Sequence, residues 1–125
     1  MNALNMAKAA YAPSQSAVRT PRATEYEAFA RATHRLKAAA AQGKEGFSRL
    51  VGAVHDNRQL WTLLAADVAE NENGLPQDLR ARIFYLAEFT AQYSRKILSE
   101  DADPDVLIDI NTAIMRGLRN QAKAA

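Results

Sequence analysis

Pro76-Gln-Asp-Leu-Arg-Ala-Arg-Ile-Phe-Tyr-Leu-Ala-Glu-Phe-Thr-Ala-Gln-Tyr-Ser-Arg-Lys-Ile97 is the stretch that decides the fold. Leu79, Ile83, Leu86, Thr90, Tyr93 and Ile97 recur at steps of three and four, the period of one helix face and not the alternation of a strand. Pro76 stands at the start, where a missing N–H costs little because the first amides of a helix have no intrahelical partner. Phe84, Tyr85 and Phe89 fall off the stripe and widen its apolar surface. Two readings explain that width: a central helix covered on two sides, or an exposed face that receives an amphipathic helix.

Similar patterns flank this segment. Downstream, the acidic run Glu100-Asp101-Ala102-Asp103 reads as a turn. Asp103-Pro104-Asp105 then supplies an N-cap, a first-turn proline and an acid matched to the helix dipole. The final helix carries Leu107, Ile110, Ile114 and Leu118, with Arg116, Arg119 and Lys123 near its negative end. Upstream, Asn71 to Gly74 is a turn, and residues 45–70 hold a stripe of Phe47, Leu50, Val51, Val54, Trp61, Leu64, Ala65 and Val68. His55-Asp56-Asn57-Arg58 interrupts it, placing Asn57 and Arg58 where the period calls for apolar residues. Asp56 and Gln59 also have capping-box spacing. A break into two helices is therefore favoured over one helix with a polar interruption.

Before Gln42-Gly43, which ends a helix, Tyr26, Phe29, Thr33, Leu36 and Ala40 form a narrow stripe. That helix begins at Thr20-Pro21 or at Thr24. Residues 13–20 read as a linker, and residues 2–12, with Leu4, Ala7 and Tyr11 at helical spacing, as a short amphipathic arm that must dock to persist. The expected architecture is all-α. It is a small, mostly antiparallel bundle of four to five helices over residues 21–120, preceded by an N-terminal arm and linker over 1–20.

Composition narrows the function. The 125 residues fit one domain, and 48% are hydrophobic, with alanine supplying much of that share. Cysteine is absent, which excludes disulfides, thiolate metal sites and a thiol nucleophile and suits a cytoplasmic protein. No apolar run reaches membrane-spanning length, and no membrane partner is expected. A net charge of +2 argues no nucleic-acid binding by itself. Its distribution is polar: residues 1–58 hold nine Lys/Arg and four acids, residues 59–125 seven and ten. No Gly-rich phosphate loop, nucleophile elbow or zinc-protease motif is present, so no enzyme is expected.

Three clusters invite a functional reading. Asn57, Arg58 and Trp61 either belong to a capped helix start with a core tryptophan, or line a partner groove, since Trp and Arg are enriched at binding hot spots. His34 and His55 match no local ligand spacing, so neither a metal nor any other cofactor is expected. Arg19, Arg22, Arg31, Arg35 and Lys37 form either a solvated face or a phosphate-contacting one, and no RNA-binding module signature accompanies them.

Four blocks resemble the FlaF family of flagellar biosynthesis regulators. They are Arg19-Thr-Pro-Arg-Ala-Thr-Glu-Tyr-Glu-Ala-Phe-Ala-Arg31, His55-Asp-Asn-Arg-Gln-Leu-Trp-Thr-Leu-Leu-Ala-Ala-Asp-Val68, Ile83-Phe-Tyr-Leu-Ala-Glu-Phe-Thr90 and Ile108-Asp-Ile-Asn-Thr-Ala-Ile-Met-Arg-Gly-Leu118. The second is the most specific. The resemblance implies a binding protein needed for flagellin production and export, acting opposite FlbT, a repressor of flagellin translation. It implies flagellin as the first partner, a FlbT-type regulator as the second and flagellin mRNA as a less favoured third. It supplies no catalytic residues. The side chains on which partner binding is expected to rest are Tyr26, Phe29, Asn57, Arg58, Trp61, Tyr85 and Phe89.

Overall fold

The computed structural model describes residues 21–70 and 74–124. Four α-helices account for most of them: α1 Pro21–Ala41, α2 Phe47–Ala69, α3 Gln77–Glu100 and α4 Asp105–Ala124, with a 3-10 turn Gly43–Gly46 between the first two. The expected arm, the 13–20 linker and Asn71, Glu72 and Asn73 of the 71–74 turn lie outside the described residues. The rest is the all-α bundle that the periodicities imply.

Several helix ends have a visible chemical cause. Pro21 opens α1, and Gly43 takes φ +61°, a conformation that favours glycine, to turn the chain away. Gly46 is required for a second reason. A Cβ there would lie 2.6 Å from the carbonyl oxygen of Ala39, so α1 and the 3-10 turn close up only around a hydrogen. The last carbonyls of α2 are held by Arg80, whose Nε donates to Val68 O at 2.8 Å and whose Nη2 donates to Glu70 O at 3.0 Å. At the end of α3, Asp101 adopts φ 58° and Ala102 N–H closes back on Lys96 O at 3.2 Å, which satisfies one of the helix's last carbonyls. Asp103 then caps α4, its Oδ1 accepting from Asp105 N–H at 2.9 Å. Tyr93 ties the same corner, its hydroxyl donating to Asp103 O at 2.8 Å. Partial burial and the Asp103 carboxylate both push that phenol's pKa up.

Against expectation, α2 is one uninterrupted helix. Asp56 does not cap a second start; it reaches across to pair with Arg35 of α1. Asn57 breaks the apolar stripe because it is itself core, fully buried. Polar identity at that position marks the bundle's interior chemistry and not a helix end.

The packing is uneven. α1 lies between α4 and α2, and α2 packs on α3, whereas α3 and α4 meet only narrowly. Two apolar clusters form the core. One gathers Phe29, Trp61, Leu64, Val68, Ile83, Ile114 and Leu118. The other gathers Leu36, Val54, Ile97, Leu107 and Ile108 near the opposite end of the helices. Read along each helix, a buried polar residue sits between the two: Thr33 on α1, Asn57 on α2, Thr90 and Ser94 on α3, Asn111 on α4. These five are the buried polar residues among those described.

Asn111 organises that layer. Its Oδ1 accepts the Trp61 indole N–H at 2.9 Å, and its Nδ2 donates to Asn57 Oδ1 at 2.8 Å and Thr33 Oγ1 at 3.1 Å. The Thr33 hydroxyl donates in turn to Phe29 O at 2.7 Å. Removing Asn111 leaves Trp61 Nε1 and Asn57 Oδ1 buried without partners, at roughly 1–3 kcal/mol each. Two buried polar atoms have no partner among the described residues, Asn57 Nδ2 inside this network and Thr90 Oγ1 outside it. Asn111→Ala is therefore expected to lower unfolding free energy by about 3 kcal/mol or more in urea titration. Thr90→Val, which deletes an unpaired hydroxyl at nearly constant shape, is expected to leave stability level or raise it by about 1 kcal/mol.

Candidate partner-binding face

The seven candidate side chains do not form one site. Phe29, Asn57 and Trp61 are interior, at 0%, 0% and 1% exposure. Phe29 and Trp61 meet edge to face with ring centroids 5.3 Å apart, an arrangement that matches the aromatic quadrupoles. Together with the Trp61–Asn111 bond, this fixes them as structural, which corrects the expectation that they present themselves to a partner. Tyr26 is half-buried and packs on the same core cluster.

Arg58, Tyr85 and Phe89 remain outside the core, and of these only Arg58 lines the cleft between α2 and α3. Tyr85 is 66% exposed, and its neighbour Phe84 is 48% exposed. Phe89 is half-buried and stacked on Tyr93, with ring centroids 5.6 Å apart. Between α2 and α3 runs a cleft of about 320 Å³. Trp61 and Thr90 line its buried side, Ala65, Ala87 and Ala91 its walls, and Arg58, Phe84 and Glu88 its more exposed edge. Small walls beside an aromatic rim suit the close approach of an apolar helix face, while Arg58 and Glu88 offer charges of both signs to its polar edges.

The origin of this surface lies in the packing. Because α3 is covered mainly by α2 and only narrowly by α4, one flank of a wide apolar helix stays open. The sequence therefore had the right width for α3, and of the three aromatic side chains that widen it Phe84 and Tyr85 are exposed while Phe89 is half-buried. Sequence reasoning missed Leu63, which stands 69% exposed on α2. It is one residue off the buried Leu64, so a signal existed in its phase. It also missed Asn111, whose polar identity inside the last apolar stripe was the available clue.

Among the described residues no group of three or more metal-ligating side chains comes together, His34 and His55 included. No described helix is long and apolar enough to cross a membrane.

Trp61→Ala is expected to cost roughly 3–5 kcal/mol of stability by emptying the core and orphaning Asn111. Tyr85→Ser, made on the open flank, should stay within about 0.5 kcal/mol of the parent in the same urea titrations, and Phe84→Ser, which gives up the packed half of its ring at the cleft, should cost about 1 kcal/mol.

No curated protein and no solved structure matches the chain. The family model described as flagellar protein FlaF matches residues 7–118, which takes in all of α2 and α3, α1 entire and α4 to Leu118. The chain belongs to the FlaF family of flagellar proteins.

Proposed function

We propose that this protein regulates flagellin production and flagellum assembly by binding a protein partner, and that it performs no chemistry of its own. The partner is an amphipathic helix of flagellin, laid along α3 with its apolar side against Phe84 and Tyr85 and its edge in the α2–α3 cleft beside Arg58. Such a contact serves both an export chaperone, which shields an apolar helix until secretion, and an antagonist of a FlbT-type repressor, which competes for the same partner. One observation carries the reading: a flagellar-family bundle leaves Phe84 half exposed at the edge of a small-walled cleft and its neighbour Tyr85 mostly in solvent. Large exposed apolar groups are retained at a cost in solubility, and a contiguous set of them marks an interaction surface.

Calorimetric titration with monomeric flagellin, on RNase-treated protein at two salt concentrations, tests it. Micromolar or tighter binding that survives salt, with a negative heat-capacity change, is the expected result. The double variant Phe84→Ser/Tyr85→Ser should weaken it by at least tenfold, about 1.4 kcal/mol. Absence of binding to flagellin, with binding to a FlbT-type regulator instead, would move the function to that partner. Affinity that collapses with salt or with RNase treatment would support the alternative, an RNA-binding activator of flagellin mRNA translation.

A further inference from the structure

On the other side of α2, between α1 and α2, two adjoining clefts of about 290 and 320 Å³ share Arg35 and Asp56 as a common border. From Ala28 to Ala39 they follow α1 for about three turns, some 17 Å at 1.5 Å per residue. Ala28, Ala32, Ala39, Gly52 and Ala53 give the surface a small-residue floor, with Leu60 and Leu63 of α2 lining its Ala28 end. The flanks are cationic. Arg31, Arg35 and Arg49 face a single carboxylate, Asp56, which is already engaged by Arg35. Arg31 and Arg49 have no carboxylate partner among the described residues.

Gly52 keeps one end of this surface open, and like Gly117 of α4 it is a helical glycine that packing among the described residues does not require. Glycine inside a helix is less favourable than alanine by about 1 kcal/mol. Gly46 has a steric reason for lacking a Cβ, but a Cβ built on Gly52 meets nothing within 4 Å. No contact within the bundle calls for glycine there. What its absence of a side chain does is keep the groove open to the backbone of α2, between the methyls of Ala39 and Ala53 and beside Arg49.

We propose that the α1–α2 groove is a second docking surface, distinct from the α2–α3 face, whose occupant is an acidic amphipathic helix. Small residues on the floor let a helix axis approach to about 8 Å, and the arginines on both flanks require carboxylates along the partner's edges. A nucleic acid fits this surface less well. No aromatic side chain lines either cleft to stack a base, and one of the three arginines is neutralised by Asp56. A second copy of this chain docked groove to groove would set arginines against arginines. With one helix held by apolar contact on α2–α3 and another by charge on α1–α2, the protein is able to hold two partners at once.

The test uses the full chain and a fluorescein-labelled helical peptide of 18 residues, with an alanine and leucine seam and glutamates along both edges. Anisotropy should show saturable binding that weakens at least tenfold between low and physiological salt. Two variants should each weaken it at least tenfold: Gly52→Leu, which fills the groove where space is open, and Arg31→Glu/Arg49→Glu, which reverses its flanks. Both are checked for an unchanged helical signal and melting temperature. Phe84→Ser/Tyr85→Ser should bind the peptide as the parent does. Equal binding of the matching peptide edged with lysine would overturn the proposal. So would full binding by a folded Gly52→Leu variant, no binding of the glutamate peptide, or tighter binding of a single-stranded oligouridine that competes with it.

Discussion

A single side chain, Asn111, holds the bundle in register. Its amide accepts the Trp61 indole N–H and donates to Asn57 and Thr33, so α4 is bound to α2 and to α1 through one planar group. Apolar packing is non-directional, and an alanine-rich helix slides against its neighbours at little cost. Hydrogen bonds to a buried amide are directional, and any other register strands polar atoms away from water. The two apolar clusters supply most of the favourable burial, and the polar layer between them selects the alignment in which they form. Such use of a buried polar residue to specify alignment parallels the single core asparagine of coiled coils.

That constraint propagates to the surface. With α1, α2 and α4 joined through Asn111, α3 packs chiefly on α2 and contributes Thr90 and Ser94 to the layer without joining its network. Ser94 Oγ turns to Thr90 O at 2.6 Å, and Thr90 Oγ1 has no partner among the described residues. α3 is thus the helix least tied to the polar core, and it is also the one with an uncovered aromatic flank. The bundle divides its labour accordingly: three helices make the frame, and the fourth presents the apolar face. Across the frame, α1 and α2 offer a surface of the opposite kind, small and cationic where α3 is large and aromatic.

How much of this was legible in the residues varies with the type of information. Helix positions were, because Leu79, Ile83, Leu86, Tyr93 and Ile97 repeat with the helical period and because Pro21, Gly43, Pro76 and the Asp103-Pro104 pair mark ends by local stereochemistry. The continuity of α2 was not. Asp56, Asn57 and Arg58 carry the composition of a helix start, and only Arg35 from α1 and Asn111 from α4 explain Asp56 and Asn57 as mid-helix residues. The same blindness misplaced the binding side chains. Trp61, Asn57 and Phe29 belong to residue types found at hot spots, yet the neighbours that bury them lie on other helices and far away in the chain.

Taken by itself, the sequence determined the all-helical class, most helix ends and the family, since each rests on interactions between residues within a few positions of one another or on a pattern spread along the chain. Only the tertiary structure decided which polar residues are core and which apolar ones are surface. Asn57 is inside because Asn111 meets it, and Tyr85 is outside because α4 does not reach across α3. Burial is a property of the partner as much as of the residue, and partners across a bundle are chosen by packing that no local period encodes.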